Sequence, residues 1–263
     1  VQDRYAQQKE DGSEHAEIVT MCCVIKPLVG WNLQVVATVG RERCGGQGYL
    51  SCNRFGAMLG AAHAAMTAEG DNSVLMQKVA KERLEMFRPS KLKAPADQDV
   101  SSIDYLHYIL QKKEDALCME LGGKMKAAGK AGMFDAWMYK ESDVIQAAAK
   151  AFGERLSSDQ FSVQRSKAEQ SLRLVLEQLH RLYMLDIVER DMGWLITAGL
   201  LTVDQAKQIQ PAATQLCREL GPNAMALVDA FQLPDEMLSA PIARDWVAYN
   251  HYDNQGEVQH GCI

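Results

Sequence analysis

Two short stretches of this chain carry residue types that could do chemistry. The first is a glycine-rich turn, Cys44-Gly45-Gly46-Gln47-Gly48-Tyr49. The second is an acid, Glu69, at the end of an alanine-rich run and followed by Gly70-Asp71-Asn72-Ser73. Glycines let a backbone come close to a ligand without a Cβ in the way, and successive N–H groups in such a turn can face a pyrophosphate. No strand precedes the turn, so it is not a dinucleotide fingerprint of the Rossmann kind. On its own such a turn is more often a simple connection between helices. Glu69 alone reads as a surface acid ahead of a helix start, where the helix dipole favours negative charge. Its approach is apolar, however: Ala61, Ala62, Ala64, Ala65, Met66 and Ala68. A carboxylate in that setting has reason to act as a base with a raised pKa.

The elements that must position these residues are helical. Ser13 is a plausible N-cap, and Ile18, Met21, Cys22, Ile25, Leu28, Val29, Leu33 and Val36 follow with helical spacing. Pro27 should kink or break that helix. The pattern runs to about Arg41, where the glycines begin. A second helix is expected from Asp71, whose carboxylate can accept from first-turn N–H groups, with Val74, Leu75, Val79 and Leu84 as its stripe. Pro89 and Pro95 end this part. Further helices are expected over 100–128, 132–156, 159–190, 203–219 and 223–232, with breaks marked by Gly122-Gly123, Gly129, Gly132 and Gly193. Pro234-Asp235 and Ala240-Pro241 read as turns. No useful strand alternation is present, so the fold class is all-α.

The 263 residues are 47% hydrophobic, enough for one large core or two smaller ones. A net charge of −6 gives no reason to expect nucleic acid or an anionic membrane as partner. No apolar run is read as long enough to span a bilayer, and Leu182–Leu201 is interrupted by Asp186, Glu189, Arg190 and Asp191. Seven cysteines, with Cys22 and Cys23 adjacent and no CxxC, argue against a disulfide framework or a metal site and for a reducing compartment. The Cys22-Cys23 pair and Met133, Met138, Met184 and Met192 are read as packing, and Trp137, Trp194 and Trp246 as anchors between helices. The run Lys112-Lys113-Glu114-Asp115 is read as a solvated face, and His63 as a partly buried histidine.

Taken together, Glu42-Arg43-Cys44-Gly45-Gly46-Gln47-Gly48 and Thr67-Ala68-Glu69-Gly70-Asp71-Asn72-Ser73-Val74-Leu75-Met76-Gln77 resemble the peroxisomal acyl-CoA oxidases of plant and algal type, within the acyl-CoA dehydrogenase superfamily. The stretch from Ala226 to Glu236, with Ala240-Pro241-Ile242 and Val247-Ala-Tyr-Asn250, is similar to the end of that family's C-terminal domain. The resemblance covers about residues 14–255. It implies a helical bundle of the oxidase/dehydrogenase C-terminal type followed by a second helical domain. The corresponding division is a loosely ordered start at 1–12, part of a flavin-binding bundle at 13–90, a linker at 91–99 and a C-terminal helical domain at 100–263.

The same resemblance implies roles. Glu69 would take the α-proton of a fatty acyl-CoA, the β-hydrogen would leave as hydride to flavin N5, and O2 would reoxidise the flavin to give trans-2-enoyl-CoA and H2O2. Gly45, Gly46 and Gln47 would touch the FAD of the opposite subunit of a homodimer. Asp71 and Ser73 would lie near a flavin ribose or adenine, and Gly70 close to both flavin and thioester. No metal is implied. Ala68 stands where the family commonly has an aromatic residue, and the arginine that the family often carries several residues ahead of the acid is not evident. The family's front domains, which hold most of the flavin and acyl chain, would have to come from a longer chain or a partner fragment, so the isolated piece should be inactive. Peroxisomal location is implied by the family alone, since the final Gly-Cys-Ile does not match a Ser-Lys-Leu signal. Two alternatives stand beside this reading: a dehydrogenase passing electrons to an electron-transfer flavoprotein, and a non-catalytic scaffold derived from an oxidase.

Overall fold

The computed structural model describes residues 2–8, 12, 14–249 and 251. Ser13, Asn250 and the final Gly-Cys-Ile, each read above, lie outside the described residues. Among those described there is no strand, and the chain is all-α. The helices are α1 (Gln2–Ala6), α2 (His15–Arg43), α3 (Phe55–Thr67), α4 (Asn72–Met86), α5 (Ile103–Asp135), α6 (Ser142–Lys167), α7 (Gln170–Arg190), α8 (Met192–Thr197), α9 (Val203–Leu220) and α10 (Ala224–Asp229). They form two compact units: residues 1–28 with 72–224, and residues 29–71 with 225–263. These units cut the chain elsewhere than the expected linker at 91–99. In the first, α6 packs on α4, α5 and α7, so both sides of that stretch share one core.

The first unit is built around α5, α7, α8 and α9. Leu106, Ile109, Leu110, Met184, Leu185, Ile187, Val188, Leu195, Ile209 and Leu216 are almost fully buried at helical spacing. Each such side chain contributes about 1.5–3 kcal/mol relative to exposure. Helix α9 begins with a capping box: Gln205 N–H donates to Thr202 Oγ1 at 3.2 Å, and Thr202 N–H donates to Gln205 Oε1 at 3.0 Å. Gly153 on α6 is required by close packing. A Cβ there would lie 2.4 Å from Val24 Cγ2 and 2.8 Å from Leu28 Cδ1.

Several expectations are corrected. Helix α2 runs through Pro27 without a break; Val24, one turn earlier, is 1% exposed, and tertiary packing there outweighs the lost hydrogen bond. Helix α5 continues through Gly122-Gly123 and breaks at Gly129, whose φ of 63° and ψ of 177° are not helical. The run 112–115 is not a solvated face, because Lys113, Glu114 and Asp115 are buried in ion pairs. Arg83 Nε donates to Glu114 Oε1 at 2.6 Å, and Arg155 donates to Glu114 Oε2. Lys113 Nζ donates to Glu154 at 2.9 Å and also pairs with Asp191. Burial would raise the Asp191 carboxyl, but Lys113 and Arg190 hold it below the usual carboxylate range. Cys22, Met133, Met138, Trp246 and His63 are exposed rather than packed, whereas Met184 is in the core.

Helix α2 corrects the expectation about apolar length as well. By length and composition it could cross a membrane, with a mean hydropathy of 1.4 over an 18-residue window of which 28% is buried. Lys26 is the one charge between Glu17 and Arg41. Ile25, Val29, Leu33, Val36 and Val39 form an exposed apolar stripe along it.

Candidate active site

The glycine turn is a 3-10 helix, Gly45–Tyr49, followed by a second short one, Ser51–Asn53, which leads into α3. Gly45 has φ 57° and starts the turn in the left-handed region. A Cβ on Gly46 would meet nothing within 4 Å, so its backbone is open to approach. Gly48 has a different purpose: a Cβ there would lie 2.1 Å from the Arg41 carbonyl oxygen. It is a packing glycine that seats the turn on the end of α2. Gln47 is half-buried, and Tyr49 is 81% exposed.

Helix α3 was not anticipated. The alanine-rich run before Glu69 is helical from Phe55 to Thr67, and its composition is that of a good helix former. Its Ala61, Ala64 and Ala68 are exposed while Ala62 is fully buried. The apolar approach to Glu69 is therefore an open helical surface, and Glu69 itself is exposed. Its backbone is unusual. Glu69 has φ 55° and the next residue, Gly70, has φ 100°. Only Arg54 and Gln232 share positive φ among the other described non-glycine residues. Such a conformation costs energy for an L residue and is often kept where function requires it.

The glycine turn lies before the first residue of α3 and Glu69 two residues past its last. At 1.5 Å per residue, the 13-residue helix separates them by roughly 20 Å along its axis. Within one chain α3 thus stands between the turn and the acid. Gly70 and Asp71 follow Glu69 and are exposed. Ser73 is in the other compact unit, in the first turn of α4, where its carbonyl accepts from Gln146 Nε2 at 2.8 Å. Beside it, Asn72 is 2% exposed and accepts from Lys26 Nζ at 2.8 Å, while its Nδ2 has no hydrogen-bond partner among the described residues. The chain's arginine closest before the acid is Arg54, at the opposite end of α3.

Asn53 was missed by the sequence reading. It is 1% exposed and bonds both Gln47 and Ile242. Nothing in its local sequence marks it, because its partners are separated from it by 6 and 189 residues. Among the described residues no cluster of three or more His, Cys, Asp or Glu could hold a metal.

The glycine turn and the acid are thus carried by helices and 3-10 turns throughout, the all-α framework that the family resemblance implies. Comparison with known proteins agrees. The acyl-CoA oxidase family profile matches residues 105–255, and that of the acyl-CoA oxidase C-alpha1 domain matches residues 1–84. The chain belongs to the acyl-CoA oxidase family. It is 29% identical to human peroxisomal acyl-coenzyme A oxidase 3 over 92% of this chain and 39% of the relative. Acyl-CoA oxidase 1 from Yarrowia lipolytica superposes with a TM-score of 0.86 at 19% identity, over 98% of this chain and 42% of that one. The oxidase 1 of Caenorhabditis elegans, crystallised with FAD and ATP, gives a TM-score of 0.83 at 16% identity, over 97% of this chain and 43% of that one. The chain thus spans about two-fifths of the length of the relatives it matches.

Proposed function

We propose that this chain is the C-terminal portion of an FAD-dependent acyl-CoA oxidase, converting fatty acyl-CoA and O2 to trans-2-enoyl-CoA and H2O2 in fatty acid β-oxidation. One observation carries the reading: the acid of the Glu-Gly-Asp-Asn motif is held exposed on a left-handed backbone at the end of a dedicated helix. Glu69 would be the base that takes the proton α to the thioester. When bound, FAD would accept the β-hydrogen as hydride and pass the electrons to O2. Open backbone at Gly45 and Gly46 and the side-chain amide of Gln47 fit one edge of such a group, offering N–H donors without steric obstruction. Asp71 and Ser73 would approach its ribose or adenine, and Gly70 the thioester and flavin.

The roughly 20 Å between acid and turn supports a site shared by two subunits, each turn serving the partner's flavin. Exposure of Glu69 and of the α3 alanines supports the need for further protein to exclude water, from the front part of a longer chain or a partner chain. The isolated piece is therefore inactive. The name of the human relative, a peroxisomal acyl-coenzyme A oxidase, supports location in the peroxisome.

The test is an anaerobic visible spectrum of natively purified protein with every co-purifying chain retained, before and after a fatty acyl-CoA is added. A flavin band that bleaches and returns with air, with peroxide formed, is the expected result. Bleaching that air does not reverse points to the dehydrogenase. Absence of the band, or indifference to acyl-CoA, leaves the scaffold reading in its place.

A further inference from the structure

Asn53 is buried and polar, and all three of its hydrogen bonds are specific. Its Nδ2 donates to the Gln47 carbonyl at 2.9 Å and to Gln47 Oε1 at 3.1 Å. Its Oδ1 accepts from the Ile242 N–H at 3.0 Å. Two of these partners are backbone groups whose roles cannot be exchanged: a carbonyl only accepts, and an amide N–H only donates. They settle which way the Asn53 amide points, a choice that side-chain amides otherwise leave open. The Asn53 NH2 group must then face Gln47, so Gln47 must turn its oxygen inward. Its Nε2, with two hydrogens, is left on the other side, and among the described residues nothing accepts from it.

We infer that Asn53 is a positioning residue. It presents Gln47 to an acceptor-rich ligand as a donor only, and it couples that donor to the Ala240–Ala243 segment through Ile242. This rests on the proposed flavin reading, in which the ligand's acceptors are the oxygens of FAD. A Gln47 free to flip would present its oxygen to those atoms half the time and repel them. Asn53 removes that alternative before the ligand arrives, which is preorganisation of a binding group. The tail segment that follows the last helices thereby acts on the glycine turn, although it is nearly two hundred residues away in sequence.

Asn53→Asp separates the two functions. The carboxylate still accepts from Ile242 N–H but has nothing to donate, so Gln47 turns its NH2 inward and its oxygen outward. Asn53→Ala loses both functions, and Gln47→Glu keeps the inward oxygen while removing the outward donor. The experiment titrates FAD into natively purified protein stripped of flavin, all co-purifying chains retained, and follows amide exchange at Ile242. Asn53→Asp and Gln47→Glu should weaken FAD binding about tenfold, the loss of one good hydrogen bond, with Ile242 exchange as slow as in the parent protein. Asn53→Ala, which frees Gln47 to flip and so halves the donor population, should weaken FAD about twofold and speed Ile242 exchange about tenfold. Unchanged FAD affinity in Asn53→Asp, with a parent protein that binds flavin, overturns the positioning role. Unchanged Ile242 exchange in Asn53→Ala overturns the coupling to the tail. A parent protein that binds no FAD defeats the proposed function itself, and is recognised because the reference fails before any variant is compared. Gln47→Glu, at a half-buried side chain, keeps the oxygen that Asn53 bonds and retains the fold if the Asn53 variants do not.

Discussion

The two compact units solve the burial problem in opposite ways. In the unit built from α4 to α9, long apolar side chains close on one another and even charges are taken inside, each with a partner. In the unit that carries the glycine turn and Glu69, the buried hydrophobic residues among those described are three alanines: Ala37, Ala62 and Ala240. Its large apolar side chains, including Val29, Leu33, Val36, Leu50, Phe231 and Trp246, face outward. A surface of that character is an interaction surface. The first unit has a self-contained core, whereas the second carries the glycine turn and Glu69 on an open surface, which the proposed function would have other protein cover. Catalytic acids and bases gain strength when water is removed. A site completed by other protein has that cover only when its substrate-binding parts are assembled.

The largest effect that would sharpen this contrast is at Glu69. Glu69→Gln should lower turnover of the natively purified protein by about 10²–10⁴-fold, the usual contribution of a general base, with urea unfolding unchanged. Retained peroxide production would strip Glu69 of its role. The opposite pattern is expected for Glu114→Ala. It leaves the half-buried Arg83 and Arg155 without their shared, fully buried partner and should cost about 3 kcal/mol in denaturant unfolding. A cost below about 1 kcal/mol would show that the first unit does not depend on its internal charges.

A third prediction concerns acid. His180 is 1% exposed, bonds Ser158 through Nε2 at 2.7 Å, stacks on Phe161 at 4.9 Å and has no partner for Nδ1 among the described residues. Burial, helped by Arg165 and His107, pushes its pKa down to about 4. The unfolded chain binds this proton more readily, so the neutral ring's contribution is complete above about pH 6.5. It is lost as pH falls from there towards 4, by roughly 3 kcal/mol in all. Unfolding midpoints at pH 7 and 4.5 should converge in His180→Leu relative to the parent protein; an identical pH slope would contradict the assignment. The smallest effect on folding is expected from Val29→Ser with Val36→Ser. Both side chains are more than half exposed, so stability should move by less than about 0.5 kcal/mol. Sedimentation should nevertheless show weaker association with co-purifying chains. An unchanged assembly would mean that the exposed stripe on α2 is not the contact face.

Much of this was legible in the chain itself. Apolar spacing indicates an all-α fold, and the glycine turn with Glu69-Gly70-Asp71-Asn72 indicates the family, because local composition and spacing are properties of the sequence alone. Helix α3 was not read because alanine runs carry little periodic contrast, although alanine favours helix strongly. The environment of residues 112–115 could not be read either. A Lys-Lys-Glu-Asp run looks solvated until Arg83 from α4, Glu154 and Arg155 from α6 and Asp191 from the junction of α7 and α8 arrive to neutralise it. Pro27 shows the same limit, since a local rule predicts a break and packing around Val24 overrides it. The sequence therefore determined which residues could act as base and ligand-binding turn. Only the tertiary structure decided that Gly48 packs while Gly46 stays open, that Asn53 orients Gln47, and that Glu69 stands uncovered, because each depends on atoms brought together from distant parts of the chain.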